Sequence, residues 1–191
     1  GLENEESGEY EAGLRSQWAP ILRTRLAAFR RTTEHTVDWL RQTPNGRWLA
    51  TDVGDVRTHG LEAEATCQTS RNLKVTLFGQ VLRKQSEADY YASRYVFDYP
   101  EERLGVGLSW RLTDYCELRS DQAVLWYAPN PARGSDRCGS VASLGLVLRP
   151  PSLPYASVTL ACANLFDDEL EVYPGQRPAG RTFSGALTVT W

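Results

Sequence analysis

From Gly8 to Ala19, Tyr10, Ala12, Leu14 and Trp18 fall on one side of the chain and Glu9, Glu11, Gly13, Arg15 and Gln17 on the other. A period of two residues with unlike sides is the pattern of a strand lying between two environments. Pro20 breaks it, and Ile21 to Leu40 predicts a second, long strand with Leu22, Thr24, Leu26 and Ala28 opposite Arg23, Arg25, Ala27 and Phe29. Arg41 to Arg47, holding Pro44-Asn45-Gly46, reads as a turn by its residues. A third strand returns from Trp48, with Leu61, Ala63 and Ala65 opposite Glu62, Glu64 and Thr66, and Ser70-Arg71-Asn72 reverses it. A fourth carries Leu73, Val75, Leu77 and Val81 against Lys74, Thr76, Phe78 and Gln80, and gives way to a polar, tyrosine-bearing loop from Ser86 to Pro100. The alternation is clearest from Leu104 to Leu112. Thr113-Asp114 then turns into a sixth strand with Cys116, Leu118 and Val124 opposite Glu117, Arg119 and Asp121. After the Pro/Asn/Gly loop Ala128 to Arg137, Leu144, Leu146 and Leu148 mark strand seven, Pro150, Pro151 and Pro154 close it, Tyr155 to Asn164 is strand eight, and Arg181 to Trp191 is strand nine.

The connections alternate in length. They are short at Pro20, Ser70-Arg71-Asn72, Thr113-Asp114 and Pro150 to Pro154, and long at Arg41 to Arg47, Ser86 to Pro100, Ala128 to Arg137 and Asp167 to Gly180. Bacterial outer-membrane barrels have this asymmetry, with short periplasmic turns and longer extracellular loops. With the short turns placed at the periplasm, Trp18, Trp110 and Trp191 lie near one set of strand ends and Trp39, Trp48 and Trp126 towards the other, as two interfacial girdles would require.

Composition agrees with strands in a membrane and not with a helix across one. No apolar run approaches the length of a spanning helix, whereas a spanning strand needs only about 9–11 residues with every second one apolar. That arrangement leaves mean hydropathy low, here −0.43 over 191 residues. The net charge of −3 and scattered Lys and Arg argue against nucleic acid as a partner. The chain has no methionine and no charged-plus-apolar leader at Gly1-Leu2-Glu3-Asn4, which reads as an excerpt of a longer product. The acidic start, Glu3, Glu5, Glu6 and Glu9, reads as a solvated loop or strand end.

The last stretch carries a specific resemblance. Asn164-Leu165-Phe166-Asp167, the loop with Tyr173-Pro174-Gly175 and Gly180-Arg181, and the aromatic-ended strand to Trp191 resemble the C-terminus of the TonB-dependent outer-membrane receptors. Gly8 to Arg15, Phe29 with Val37-Asp38-Trp39, and Val53 to Glu64 resemble successive barrel segments of the same receptors. Trp191 and Leu170 depart from the family pattern, which usually has Phe at the end and an aromatic in place of Leu170. The resemblance implies an all-β fold: an antiparallel up-and-down meander of about nine strands, the C-terminal segment of a transmembrane β-barrel of about 22. On that reading residues 1–191 are the C-terminal part of the barrel, with the plug domain and earlier strands outside the chain. Phe183, Leu187, Val189 and Trp191 would form the signal read by the barrel-assembly machinery.

The implied function is active uptake of a scarce small-molecule ligand, such as a ferric siderophore, a cobalamin or an oligosaccharide, across the outer membrane of a Gram-negative bacterium. Its implied partners are the TonB-ExbB-ExbD complex, reached through the missing N-terminal part, and outer-membrane lipid. A passive porin-like barrel and a soluble β-sandwich binding module are the alternatives. No catalytic, cofactor or metal site is expected. His35 and His59 sit on different strands without Cys, Asp or Glu at ligand spacing, and no serine sits in Gly-x-Ser-x-Gly. Glu62 and Glu64, with Arg23, Arg25, Lys74, Arg111, Glu117 and Arg119, read as lumen lining. The four cysteines, Cys67, Cys116, Cys138 and Cys162, suit an oxidising periplasm. Geometry nevertheless predicts four free thiols, because Cys162 would face a residue near position 142, roughly 13 Å along the strand from Cys138.

Overall fold

The computed structural model describes residues 4–191. Every regular element among them is a strand. In chain order they are β1 (Glu6–Ala19), β2 (Leu22–Glu34), β3 (Val37–Arg41), β4 (Leu49–Asp52), β5 (Val56–Gln68), β6 (Leu73–Gln85), β7 (Ala92–Ser93), β8 (Pro100–Thr113), β9 (Cys116–Tyr127), β10 (Cys138–Leu148), β11 (Ala156–Ala163) and β12 (Thr182–Val189). Nine form one sheet in the order β1-β2-β5-β6-β8-β9-β10-β11-β12, each antiparallel to the next, so neighbours in the sheet follow one another in sequence. The remaining three form a small sheet, β4-β3-β7, at the end of the long connections.

Cross-strand register sorts the side chains as the alternation predicts. One row across the sheet reads Leu14, Leu26, Ala63, Gly79, Leu104 and Val124, and the next on the same face reads Ser16, Thr24, Ala65, Leu77, Val106 and Gln122. A row of the opposite face reads Arg15, Arg25, Glu64, Phe78, Gly105, Ala123 and Val141. None of the described residues covers the apolar face. Leu14, Leu26, Leu61, Leu77, Leu104 and Leu187 are between 55 and 69% exposed along it. An open apolar face this wide is far larger than the patches a water-soluble monomer tolerates, and no second sheet packs on it as a sandwich requires. Strands of 11 to 14 residues from β1 to β10 within this sheet reach or exceed the about 9–11 that a spanning strand needs.

Aromatic residues mark both ends of that face. Trp18, Trp110, Tyr115 and Tyr155 are exposed near the short turns, and Tyr10, Trp126 and Phe183 near the long connections. Trp39 and Trp48, expected in the second girdle, instead belong to the cap built on the small sheet.

The structure corrects several expected boundaries. The strand expected from Ile21 to Leu40 ends at Glu34, because His35 takes a left-handed φ of 51° and swings Val37–Arg41 into the small sheet. The strand expected from Trp48 divides at Gly54, φ 68°, into β4 and β5. The loop Ser86 to Pro100 contains β7. The last strand ends at Val189, with one further bond from the Thr190 amide to the Tyr155 carbonyl (2.9 Å), and Trp191 is fully exposed. Cys162 faces Leu144 and Phe183 instead of a residue near 142, since two successive turns, Pro150 to Leu153 and Leu153 to Ala156, lengthen the connection. All four thiols are free. Of the acidic start, Glu3 lies outside the described residues, Glu6 opens β1, Glu9 pairs with Arg31, and Glu5 accepts from the Val37 amide (2.8 Å).

Candidate functional site

The polar face and the long connections at its end are the two surfaces left once the uncovered apolar face is set aside. The polar face is held by contacts along and between strands that involve the residues expected to line a lumen. Gln80 donates to Glu62 (2.9 Å), Thr66 donates to Glu64 (3.3 Å), and Arg25 pairs with Glu11 (3.3 Å). Near the short turns Glu117 accepts from Arg119 (2.7 Å), Arg149 (3.1 Å) and Ser109 (3.1 Å). Arg23, Lys74 and Arg111 also lie on this face, paired in register with Thr66, Ser109 and Glu117.

Two glycines let aromatic rings lie flat on the same face. A Cβ at Gly105 would sit 2.3 Å from the Phe78 ring and 2.6 Å from the Gln122 carbonyl, and one at Gly60 would sit 2.2 Å from Phe29. Phe78, Ala123 and Val141 thereby make an apolar floor within a charged face. The connection after β11 folds back over it. Leu170 packs onto Gly139, where an added Cβ would lie 2.7 Å from the leucine Cβ. The result is a groove of about 480 Å³, whose apolar floor is bordered by Arg103, Asp121, Asn164, Asp168 and Pro178. A mostly apolar floor with a few polar groups at its border suits a small-molecule ligand of moderate size.

Asp168 fixes the wall of that groove. Its carboxylate accepts from the Ser140 amide (2.8 Å), the Ser140 hydroxyl (2.9 Å) and the Leu170 amide (2.9 Å). Burial pushes its pKa up, but these hydrogen bonds to the charged form outweigh it and hold the pKa below the ordinary value.

Side chains far apart in sequence tie the long connections to one another. Arg133 and Asp98, both with buried side chains, form a two-pronged ion pair with N–O distances of 2.7 and 2.9 Å. Arg133 also donates to the Glu171 carbonyl (3.1 Å) and stacks over Tyr127, 3.7 Å from its ring centre. Asn130 donates to Asp98 (3.0 Å) and to the Ser93 carbonyl, and the Gly134 amide donates to the Glu171 carboxylate (3.1 Å). Three connections are thus joined through one buried charge pair. Under the cap, Leu40, Val53, Val56 and Phe97 form a small apolar core.

Asp38 is buried beside that core. It accepts from the Ser93 hydroxyl and from the amides of Trp39 (2.7 Å) and Tyr95 (3.2 Å), while Ser93 accepts from the Phe97 amide (2.9 Å). Burial, partly offset by these bonds, pushes its pKa above the ordinary 3.8. The folded carboxyl therefore holds a proton more tightly than the unfolded one, and the cap loses stability as pH rises from 3.8 through the folded value. Asp38→Asn is expected to remove that pH dependence and keep the cap ordered, since Ser93 can accept from the new amide. Asp38→Ala leaves buried donors without an acceptor, at about 1–3 kcal/mol each. Amide exchange at Trp39 and Tyr95 between pH 4 and 7 measures both effects, and an Ala variant as protected as the Asn variant would contradict the assignment.

The two histidines do not meet. His35 sits at the β2–β3 corner with Nδ1 3.4 Å from Asp52, and His59 lies in register between Arg30 and Arg83. Among the described residues no three His, Cys, Asp or Glu side chains are grouped to hold a metal ion. The pattern of the chain missed Asp98, Arg133 and the fold-back of Leu170, because each acts through contacts about 30 or more residues away. Pro131-Ala132-Arg133-Gly134 carries no local signal for the pair.

No protein-family profile matches the chain. A stretch of 68 residues, 36% of this chain and 11% of the relative, is 31% identical to the vitamin B12 transporter BtuB of Vibrio vulnificus. Among solved structures, the chain superposes over its full length on a mutant of the ferric enterobactin receptor PfeA from Pseudomonas aeruginosa, with a TM-score of 0.70 and 18% identity. It likewise superposes in full on the siderophore receptor PirA from Acinetobacter baumannii, with a TM-score of 0.68 and 15% identity. In each case the chain spans 32% of the length of the solved protein. These neighbours are TonB-dependent receptors, and the chain has the fold of a portion of their barrel.

Proposed function

We propose that the chain is the C-terminal barrel portion of a TonB-dependent receptor in the outer membrane of a Gram-negative bacterium, acting in energy-dependent uptake of a scarce ligand. The carrying observation is one nine-stranded meander with an uncovered apolar face and a charged opposite face, superposable along its whole length on barrels of such receptors. The ligand classes this reading offers are ferric siderophores, cobalamins and oligosaccharides. The plug and earlier strands lie outside residues 1–191, and the plug connects uptake to the TonB-ExbB-ExbD complex. The groove over Phe78, Ala123 and Val141 faces the lumen and presents its wall to the ligand path. Phe183, Leu187 and Val189, alternating on one face of β12, together with the exposed Trp191 supply the recognition element for the barrel-assembly machinery.

The test is uptake by a strain whose own copy of the full-length receptor has been deleted and then restored. Uptake of one of these ligands is expected to return with the receptor and to stop on addition of a protonophore. Uptake indifferent to the protonophore would assign the barrel to passive diffusion instead. In the same strain Trp191→Ala is expected to lower the amount of receptor in the outer membrane; an unchanged amount would remove Trp191 from the assembly element.

A further inference from the structure

The cap holds two arginines with no carboxylate partner among the described residues. Arg41, at the end of β3, lies over the Trp48 ring, 4.5 Å from its centre, and Arg94 approaches the same ring at 5.8 Å. Arg94 is further flanked by Tyr95 (5.6 Å) and by Tyr173 (5.2 Å), whose rings meet edge to face at 5.1 Å. The cluster draws on three of the long connections: 42–48, 94–99 and 164–181. Among the described residues neither guanidinium has a carboxylate within ion-pair distance. Both Nε atoms are buried and without a hydrogen-bond partner. Among the described residues the one side-chain hydrogen bond of either arginine is a long bond from Arg41 to the Pro44 carbonyl (3.4 Å).

Stacking on rings occupies the faces of a guanidinium and leaves its edge, where all five N–H groups point. That edge matches two oxygens of a carboxylate or phosphate. Two like charges gathered round one indole, with orphaned donors and no counter-ion, lack an acceptor that a ligand can bring. Arg133, whose side chain is fully buried, shows the contrast: it stacks on Tyr127 and has Asp98 on its edge, whereas Arg41 and Arg94 are half-buried with no such partner among the described residues.

We propose that Arg41 and Arg94, set around Trp48 and walled by Tyr95 and Tyr173, form an oxyanion subsite that receives a carboxylate- or phosphate-bearing small molecule at the mouth of the barrel. The proposal rests on the uptake reading for its biological sense and names the chemical class of the ligand. Neutral oligosaccharides fall outside that class.

The experiment uses the purified full-length receptor in detergent, titrated by calorimetry with citrate as the carboxylate probe and inorganic phosphate as the phosphate probe. Saturable binding of at least one probe is expected, weakening as salt is raised. Arg94→Lys, which keeps the charge and loses the fork, is expected to weaken binding by about tenfold or more. Arg30→Gln, which removes an exposed arginine outside the cap, is expected to leave it unchanged. Absence of saturable binding of either probe overturns the proposal, as does equal binding by Arg94→Lys. Equal weakening by Arg30→Gln would reduce the effect to net charge and also overturn it. The uptake reading is judged separately: protonophore-sensitive uptake of a neutral ligand with no oxyanion binding leaves uptake standing and removes this subsite. Oxyanion binding without energy-dependent uptake does the reverse.

Discussion

Arg133→Ala is expected to disorder the cap while leaving the nine-stranded sheet intact. The side chains of Arg133 and Asp98 are 2 and 0% exposed, so removing one leaves the other charged, buried and unpaired. Breaking a buried pair in this way costs about 3–5 kcal/mol. The loss is local because the pair binds connections and not strands: Asp98 belongs to 94–99, Arg133 to 128–137, and the Glu171 carbonyl that Arg133 also holds to 164–181. Hydrogen exchange in these three segments should quicken by roughly two to four orders of magnitude, with the amides of β5, β6 and β8 unchanged. Replacing both charges, Asp98→Leu with Arg133→Met, should restore much of the protection, because two well-packed apolar side chains can stand in for a buried pair. Unaltered exchange in Arg133→Ala would show that the pair does not hold the cap.

A second large effect separates the faces of the sheet. Leu77 lies near the middle of β6, opposite Ala65 and Val106, and is 55% exposed on the apolar face. Thr76 precedes it on the other face, hydrogen-bonded to Thr66 (3.2 Å) and opposite Gly107, beyond which lies Asp121. On the proposed outer-membrane reading, arginine at 77 would enter hydrocarbon, at about 2–4 kcal/mol near the bilayer midplane. Arginine at 76 would enter a watered, charged face, and the glycine leaves it a path towards Asp121. Heat-modifiable mobility of the receptor in outer-membrane fractions should fall for Leu77→Arg and persist for Thr76→Arg. Equal assembly of the two variants would mean that the faces have been assigned the wrong way round.

The sheet was legible in the sequence because its signal is local. Leu104 to Leu112 alternates without interruption, and register follows once short turns such as Thr113-Asp114 are placed. The cap was not legible, for two physical reasons. His35 turns the chain with a left-handed φ that its residue type does not announce, so the pattern ran on from β2 into β3. In the cap, moreover, Asp38, Ser93 and Asp98 are buried, which reverses the usual meaning of a polar residue. Their burial is satisfied by partners up to 57 residues away, such as the Tyr95 amide on Asp38, and no window of a few residues contains both ends of such a bond. Trp48 illustrates the same limit. Its position at a strand end suggested an interfacial anchor, whereas its ring gathers two arginines.

The interlocking of the long connections bears on how binding specificity can be transplanted. Loops that stand alone can be exchanged one at a time, and each brings its own contacts to a new host. Here a graft of 128–137 alone would carry Arg133 away from Asp98 and Glu171, and a graft of 164–181 alone would strip Leu170 from Gly139 and Asp168 from Ser140. The unit of exchange is the whole set of connections together with the Ser140 end of β10. A chimera made from that set should inherit the donor's ligand preference, and piecemeal chimeras should lose both parents' preferences.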